Sequence, residues 1–278
     1  MCEKTVLVCL NEVERTDQML SVITALNNKM PMHFVGLYVV PAVQVYPSAG
    51  MQISTQIYDG WQKYYTDHAK EVKAKFEKLL QVEGLLGEWR QVNSGSSVIA
   101  DTVIEHGTMC DLVVVPQSRN DDGDGIETGF AEQVIMESGR PVLVIPTYGE
   151  FKEIGKSVLV AWNGKRESAR AIFDAMPFLR RADKVEVSWL NPDKEDGLDL
   201  PGAEMAEVLA RHDIDVTVEA IPAGDLAVGE ALLSHASDLG ADMLVMGAYG
   251  HSRMREFVFG GATRTILESM TIPVLMSH

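Results

Sequence analysis

Cysteine is scarce in this chain of 278 residues, which has only three, and no two of them form a C-x-x-C pair. An odd and sparse set argues against a disulfide framework. The sequence therefore predicts Cys9 and Cys110 to be thiols of the core.

Long hydrophobic runs are also missing. The runs from Phe34 to Val40 and from Leu112 to Val115 are among the longest, and they fall far short of the ~20 residues that cross a bilayer. The N-terminus, Met1 to Lys4 and then a five-residue apolar stretch, lacks the longer apolar region and cleavage site of a secretory signal. We therefore expect no membrane association and a cytoplasmic location.

Positive charge is the third deficit. The chain has 24 Lys and Arg against 40 Asp and Glu, for a formal net charge of −16. Such a field repels nucleic-acid phosphates over most of the surface, so the composition predicts no nucleic-acid partner.

Signatures of several enzyme classes are absent as well. The chain has no G-x-S-x-G elbow, no GK[ST] sequence, and no nucleophile with a recognisable base. Its seven histidines show no short metal-ligand spacing with cysteine or carboxylate. We predict no catalytic residue and no metal ligand, which argues against a dedicated enzyme.

What the chain does contain is an internal repeat. Val8–Asn11 lies over Val160–Asn163, and Glu137 before the Pro-Val-Leu of one half lies over Glu268 before that of the other. Strand-like runs alternate with helical spacing, which predicts parallel sheets covered on both faces. The runs are Thr5–Leu10, His33–Val39, Glu88–Val92, Leu112–Val115 and Val142–Ile145 in the first half, and Ser157–Trp162, Lys184–Leu190, Val216–Ile221, Met243–Met246 and Val274–Met276 in the second.

The halves differ in length. Asn11 precedes Asn163 by 152 positions, whereas Pro141 precedes Pro273 by only 132, so the first half carries about twenty extra residues. We place them between Pro41 and Trp61, in a long loop leading into a helix over about 55–81. Pro and Gly near 147–155 predict a boundary between domains 1–149 and 150–278, called the first half and the second half below.

A glycine-rich loop follows the fourth run of the second half. Gly247 and Gly250 stand where the chain leaves the sheet, and Gly260 and Gly261 where it enters the next helix. Glycines allow close backbone approach, and unpaired N–H groups at a helix N-terminus attract phosphate. The pattern indicates an anion site; the alternative is a turn that only lets strand and helix pack closely. His251, inside the loop, is either a surface residue or a phosphate contact.

On these residues the sequence resembles the universal stress proteins, in their tandem two-domain form. ATP-binding members carry G-x2-G-x9-G-[S/T], and Gly247, Gly250 and Gly260 match that spacing. The resemblance also rests on the strand–helix order, the Pro-Val-Leu final strands and the Gly224-Asp225 turn. It implies an α/β fold with two doubly wound parallel five-stranded sheets, of the adenine nucleotide alpha hydrolase-like type, packed as a pseudo-dimer through their last strands.

The second half departs from the family pattern at two places. Gly261 stands where a hydroxyl residue follows the last glycine, and Thr263 is the candidate to replace it. Family members have an acidic residue at the end of the first strand. Asn163 stands at that position in the second half, and Asn11 stands there in the first half. An asparagine can bind a ribose or a base by hydrogen bonds, but it contributes no charge.

The first half departs further. Pro116 and about Arg119 lie where Gly247 and Gly250 stand, and only Gly129 remains near the position of Gly260. The same loop holds three aspartates, which would repel a triphosphate unless a metal intervened. We therefore expect the first half to bind no nucleotide. The aspartates are Asp121, Asp122 and Asp124.

The function that the resemblance implies is that of a stress-response regulator binding ATP, ADP or AMP in its second domain, with or without Mg²⁺. A nucleotide-free module that binds a protein or small molecule through Pro41–Trp61 is the alternative. A third reading is a slow ATP hydrolase or self-phosphorylating protein, with Thr263 or Ser252 as acceptor. A protein partner and a further homodimer stay open. The implied contacts are Gly247, Gly250, His251, Gly260, Gly261 and Thr263 for the phosphates, Asn163 for the ribose and Leu190 for the base.

Overall fold

The computed structural model describes residues 4–42, 55–118, 126–190, 202–221, 227–249 and 261–278, and its strands form one ten-stranded sheet. The central strands coincide with short apolar runs of the sequence, because buried strands of parallel sheets are apolar on both faces. They are β1 (Lys4–Cys9), β2 (Met32–Val40), β3 (Leu86–Asn93), β4 (Leu112–Pro116), β5 (Val142–Ile145), β6 (Ser157–Trp162), β7 (Lys184–Leu190), β8 (Val216–Ile221), β9 (Met243–Gly247) and β10 (Val274–Ser277).

Helices connect the strands, and a short 3₁₀ turn (Val13–Arg15) precedes the first of them. The described helices are α1 (Thr16–Lys29), α2 (Thr55–Glu83), α3 (Ile99–Gly107), α4 (Phe130–Glu137), α5 (Arg166–Leu179), α6 (Ala203–Ala210), α7 (Val228–Leu239) and α8 (Gly261–Ser269).

The two halves of the sheet have the same topology. The order is β3-β2-β1-β4-β5 followed by β10-β9-β6-β7-β8. Pairing is parallel within each half, and β5 pairs antiparallel with β10, with Leu143 opposite Leu275. The predicted doubly wound fold and the predicted pairing through the last strands are confirmed. The two sheets are joined edge to edge by this pairing into one continuous sheet.

Both faces of the central strands are buried, whereas the edge strands β3 and β8 are partly exposed. Along β1, Val6 and Val8 belong to one apolar cluster while Leu7 and Cys9 belong to the other, since successive strand residues point to opposite faces. Cys9 and Cys110 are both buried and free, as predicted. Burial raises the pKa of the Cys9 thiol to about 12.

The boundaries differ from the predicted ones by at most two residues at each strand end, and α2 extends to Glu83. Most of the Pro41–Trp61 insertion, residues 43–54, lies outside the described residues. At its borders, the Nε1 of Trp61 donates to the carbonyl of Pro41 at 3.3 Å. The predicted domain boundary at 149/150 falls between β5 and β6, and the division into two domains stays a prediction.

In the part of the chain that the structure describes, no helix is both long enough and apolar enough to cross a membrane.

A buried arginine sits beside the junction of the halves. Arg15 is 6% exposed, and its guanidinium donates to the carbonyls of Gln117 at 3.2 Å, Ile145 at 2.9 Å and Pro146 at 2.8 Å. The carboxylate of Glu12 lies 3.0 Å from the same group. Arg15 thus ties together the carboxyl ends of β4 and β5.

We predict that Arg15→Ala lowers the free energy of unfolding by about 3 kcal/mol, because it leaves the Glu12 carboxylate and three carbonyls without their cation. Urea unfolding measures the change. Arg211→Ala is the control, since Arg211 makes only an exposed pair with Glu207 at 3.5 Å and its removal should cost within about 0.5 kcal/mol. Equal effects of the two substitutions would contradict the stabilising role of Arg15.

Candidate functional site

A cleft of about 460 Å³ opens at the carboxyl edge of the second half of the sheet, between β6 and β9. The strand order reverses there, because β7 and β8 lie on one side of β6 and β9 and β10 on the other. Open α/β sheets bind ligands at such a switch point. The lining residues are Ala161, Trp162, Asn163, Lys165, Ser168, Ala227, Val228, Leu232, Met246, Gly247, Tyr249, Gly261, Ala262 and Thr263.

The helix starts give the cleft its electrostatic character. Helix α5 begins one residue after Lys165, and α7 and α8 begin at Val228 and Gly261, which line the cleft. Each helix start carries unpaired N–H groups and about half a positive charge. With Lys165, these features make the cleft suited to an anion in an otherwise acidic chain.

Asn163 holds the start of α5. Its Oδ1 accepts a hydrogen bond from Ser168 Oγ at 2.7 Å and another from the Lys165 N–H at 3.1 Å. Gly164 makes the turn between them with φ of +71°, and a Cβ there would lie 3.2 Å from the Trp189 ring. Asn163 is therefore both a structural residue and, through its Nδ2 group, a donor at the cleft.

Gly247 lies where β9 meets the start of α5. A Cβ on Gly247 would lie 2.4 Å from both Glu167 C and Ser168 N. These are backbone atoms, which cannot give way as a side chain would. The glycine thus has the packing role that the sequence offered as the alternative, and it also brings the strand end to the cleft.

Gly261 and Thr263 stand in the first turn of α8. A Cβ on Gly261 would have no heavy atom within 4 Å, so this glycine is open to the cleft. Thr263 is 4% exposed, and its Oγ1 accepts from the N–H of Tyr249 at 3.4 Å. That bond connects the helix to the beginning of the glycine-rich loop, where Tyr249 has a φ of +59°.

Two ionisable groups near the cleft have shifted pKa values. Burial raises the pKa of Tyr249, so its phenol stays neutral at ordinary pH. For Glu167, burial opposes ionisation, but the hydrogen bond and charge of Arg166 outweigh it and hold the pKa of that carboxyl below its ordinary value.

The structure brings four of the predicted site residues together at one cleft: Asn163, Gly247, Gly261 and Thr263. Leu190 is the last residue of β7, at the same edge of the sheet.

Three further predicted residues, Gly250, His251 and Gly260, lie outside the described residues. Sequence reasoning missed Lys165 and the start of α7 at Val228. The Asn-Gly-Lys triplet just before a helix was the available signal for Lys165.

The corresponding asparagine of the first half is engaged differently. Asn11 Nδ2 donates to the carbonyl of Val39 at 2.7 Å, and its Oδ1 accepts from the Val39 N–H at 3.0 Å. The amide bridges β1 to β2, and Asn11 is only 4% exposed. This supports the expectation of a first half without a nucleotide.

The loop of Asp121, Asp122 and Asp124 lies outside the described residues. Within the described ones, no group of three His, Cys, Asp or Glu side chains is arranged to hold a metal ion.

Comparison with known proteins gives a consistent result. A model of the universal stress protein family matches residues 155–278. Universal stress protein Slr1230 of Synechocystis sp. is 33% identical over 151 residues, which are 52% of this chain and 49% of that protein. The chain thus spans about half the length of this curated relative.

Solved structures resemble the chain over its whole length. A universal stress protein from Archaeoglobus fulgidus covers 100% of this chain and 99% of its own, with a TM-score of 0.74 and 16% identity. A functionally unknown protein from Pseudomonas aeruginosa covers 99% of this chain and 92% of its own, with a TM-score of 0.54 and 15% identity. At such identities the likeness concerns the fold alone.

We predict that Gly247→Ala lowers the free energy of unfolding by about 2 kcal/mol, because the added methyl group clashes with the α5 backbone. Gly261→Ala is the matched control. Its methyl group enters open space, so stability should stay unchanged or rise by up to about 1 kcal/mol in a helix. Thermal and urea unfolding of both variants give the comparison, and a Gly247→Ala variant as stable as wild type would contradict the packing role.

Proposed function

We propose that this chain, whose residues 155–278 match the model of the universal stress protein family, binds an adenine nucleotide in the cleft of its second half and that binding regulates a stress response. The observation that carries the proposal is the meeting of three helix starts and Lys165 at the cleft between β6 and β9. Backbone donors of this kind recognise phosphate, whether it belongs to ATP, ADP or AMP.

The phosphates are assigned to the α8 end of the cleft. The N–H groups of Gly261 and Thr263 belong to the first turn of that helix, which pairs them with no carbonyl of its own. Gly247, Gly250, Gly260 and His251 complete the proposed phosphate loop. Mg²⁺, where present, would be held chiefly by phosphate oxygens, as is common for this ion.

The nucleoside is assigned to the other end. Asn163 can donate from Nδ2 to a ribose oxygen, since its Oδ1 is used by the start of α5. Ala161 and Trp162, which precede Asn163 at the end of β6, give that part of the cleft an apolar lining that suits a flat base. Leu190, at the end of β7, is the residue proposed to lie near the base.

Binding without turnover is the better supported output. The described lining contains no carboxylate or imidazole that could act as a general base. Slow hydrolysis or self-phosphorylation at Thr263 or Ser252 is therefore the weaker candidate. If the protein does not bind ATP, the result would favour the alternative, an interaction module that binds no nucleotide.

The binding experiment is a calorimetric titration of nucleotide-stripped protein with ATP and Mg²⁺. We expect saturable binding near one site per chain, lost in Gly250→Asp because a carboxylate would stand in the phosphate loop. Gly95→Asp is the matched control: a Cβ there meets no heavy atom within 4 Å, and it lies in the first half. No heat up to millimolar ATP would contradict the nucleotide proposal.

A second experiment tests the phosphate end separately. Lys165→Gln removes one cation from the cleft, so ATP should bind roughly two- to five-fold more weakly while adenosine is unaffected. Lys156→Gln is the control, since Lys156 adjoins the amino end of β6 and pairs with Glu153 at 3.5 Å. Equal losses for ATP and adenosine would contradict a phosphate contact by Lys165.

A further inference from the structure

We propose that Gln117 of the first half is a positioning residue for the cleft of the second half, because it fixes helix α8 across the junction. The part of the inference that concerns nucleotide affinity rests on the proposed function. The part that concerns the position of α8 applies to the protein without ligand and is tested there.

Gln117 is held in one orientation by its neighbours. It follows β4 and is 7% exposed. Its Oε1 accepts from the N–H of Thr147 at 2.8 Å and from Thr147 Oγ1 at 3.1 Å. Because a backbone N–H can only donate, the amide oxygen must face Thr147, which leaves Nε2 to donate to the carbonyl of Leu267 at 2.7 Å.

The segment is also anchored from within the first half. Arg15 donates to the backbone carbonyl of Gln117 at 3.2 Å and to those of Ile145 and Pro146. The Gln117 side chain thus extends from a rigid, buried support, and its far end contacts the other half of the protein.

The acceptor lies near the C-terminus of α8. The carbonyl of Leu267 is among the last four of the helix, which have no partner within it. Helix α8 has only nine residues, and a helix of that length is marginal without tertiary contacts. The hydrogen bond from Gln117 therefore supplies a cap that α8 cannot supply itself.

The N-terminus of the same helix forms the cleft. Gly261 and Thr263 line it, and Thr263 receives the N–H of Tyr249. A nine-residue helix is about 13 Å long and moves as one rod. Loosening its C-terminus therefore displaces the N–H groups and the Thr263 hydroxyl at the cleft.

The bond from Gln117 has no equivalent at the matching position of the second half, where Arg170 of α5 instead donates to the carbonyl of Gly139, just beyond α4, at 2.7 Å. Strand register pairs Pro116 with Ile145 and Gly247 with Ser277, so Ala248 is the counterpart of Gln117. The methyl group of Ala248 cannot donate a hydrogen bond to helix α4. The first half, in which Pro116 stands where Gly247 stands in the second half, thus has a role in shaping the cleft of the second half.

The test substitutes Gln117→Glu in the full chain. Glutamate has the same shape and keeps the acceptor for Thr147, but an ionised carboxylate has no proton to donate to Leu267. Gln81→Glu is the matched control, because Gln81 is exposed in α2 of the same half. Thr147→Ala, which removes one bond to Gln117 Oε1, is a milder second variant.

Residue-resolved hydrogen exchange on ligand-free protein comes first. We expect the amides of α8 and of Tyr249 to exchange about ten-fold faster in Gln117→Glu, which is the effect of losing one buried hydrogen bond. Exchange should rise less in Thr147→Ala and stay unchanged in Gln81→Glu. ATP affinity, by calorimetry, should fall about ten-fold in Gln117→Glu. Unchanged exchange at Tyr249 would overturn the inference, even with a loosened α8 C-terminus.

The experiments distinguish failure of the nucleotide proposal from failure of the positioning role of Gln117. If wild type binds no ATP, the nucleotide function fails, and exchange at Tyr249 alone decides whether Gln117 positions the cleft. If wild type binds ATP and Gln117→Glu binds it equally well, the positioning role is overturned and the nucleotide function stands.

Discussion

Burial of the central strands on both faces is the constraint on which the rest of this structure depends. Residues of β4 such as Val113, Val114 and Val115 are fully buried, because helices cover each side. Few polar side chains lie within such strands, and most of the polar contacts described above lie where the strands end. The carboxyl edge therefore holds the cleft in the second half, and the Asn11 and Arg15 contacts in the first.

The two halves show how one edge can serve two purposes. In the second half, Asn163 turns its oxygen to the start of α5 and leaves amide protons at the cleft. In the first half, both the Nδ2 and the Oδ1 of Asn11 are hydrogen-bonded to the backbone of Val39. The same residue type at the same strand end thus lies at a proposed ligand site in one half and joins β1 to β2 in the other.

The sequence predicted the repeated strands well, because apolar runs are local signals, and the pairing of the last strands was implied by the resemblance to the universal stress proteins. It predicted neither Arg15 nor Gln117. Their partners lie 102 and 150 positions away, and a single polar residue has no periodicity to mark it. Gly247 was predicted to contact a phosphate. The structure adds that it lies against the backbone of α5, which is distant in sequence.

The contact between β5 and β10 places equivalent leucines, Leu143 and Leu275, opposite each other. A pairing of that kind is self-complementary, since either strand could face a second copy of itself. The chain is therefore equivalent to a homodimer whose subunits have been fused, with an effective concentration of its partner that dilution cannot lower. Fusion removes the requirement that the two subunits be identical, so Asn11 of one half can bridge two strands while Asn163 of the other lies at a cleft.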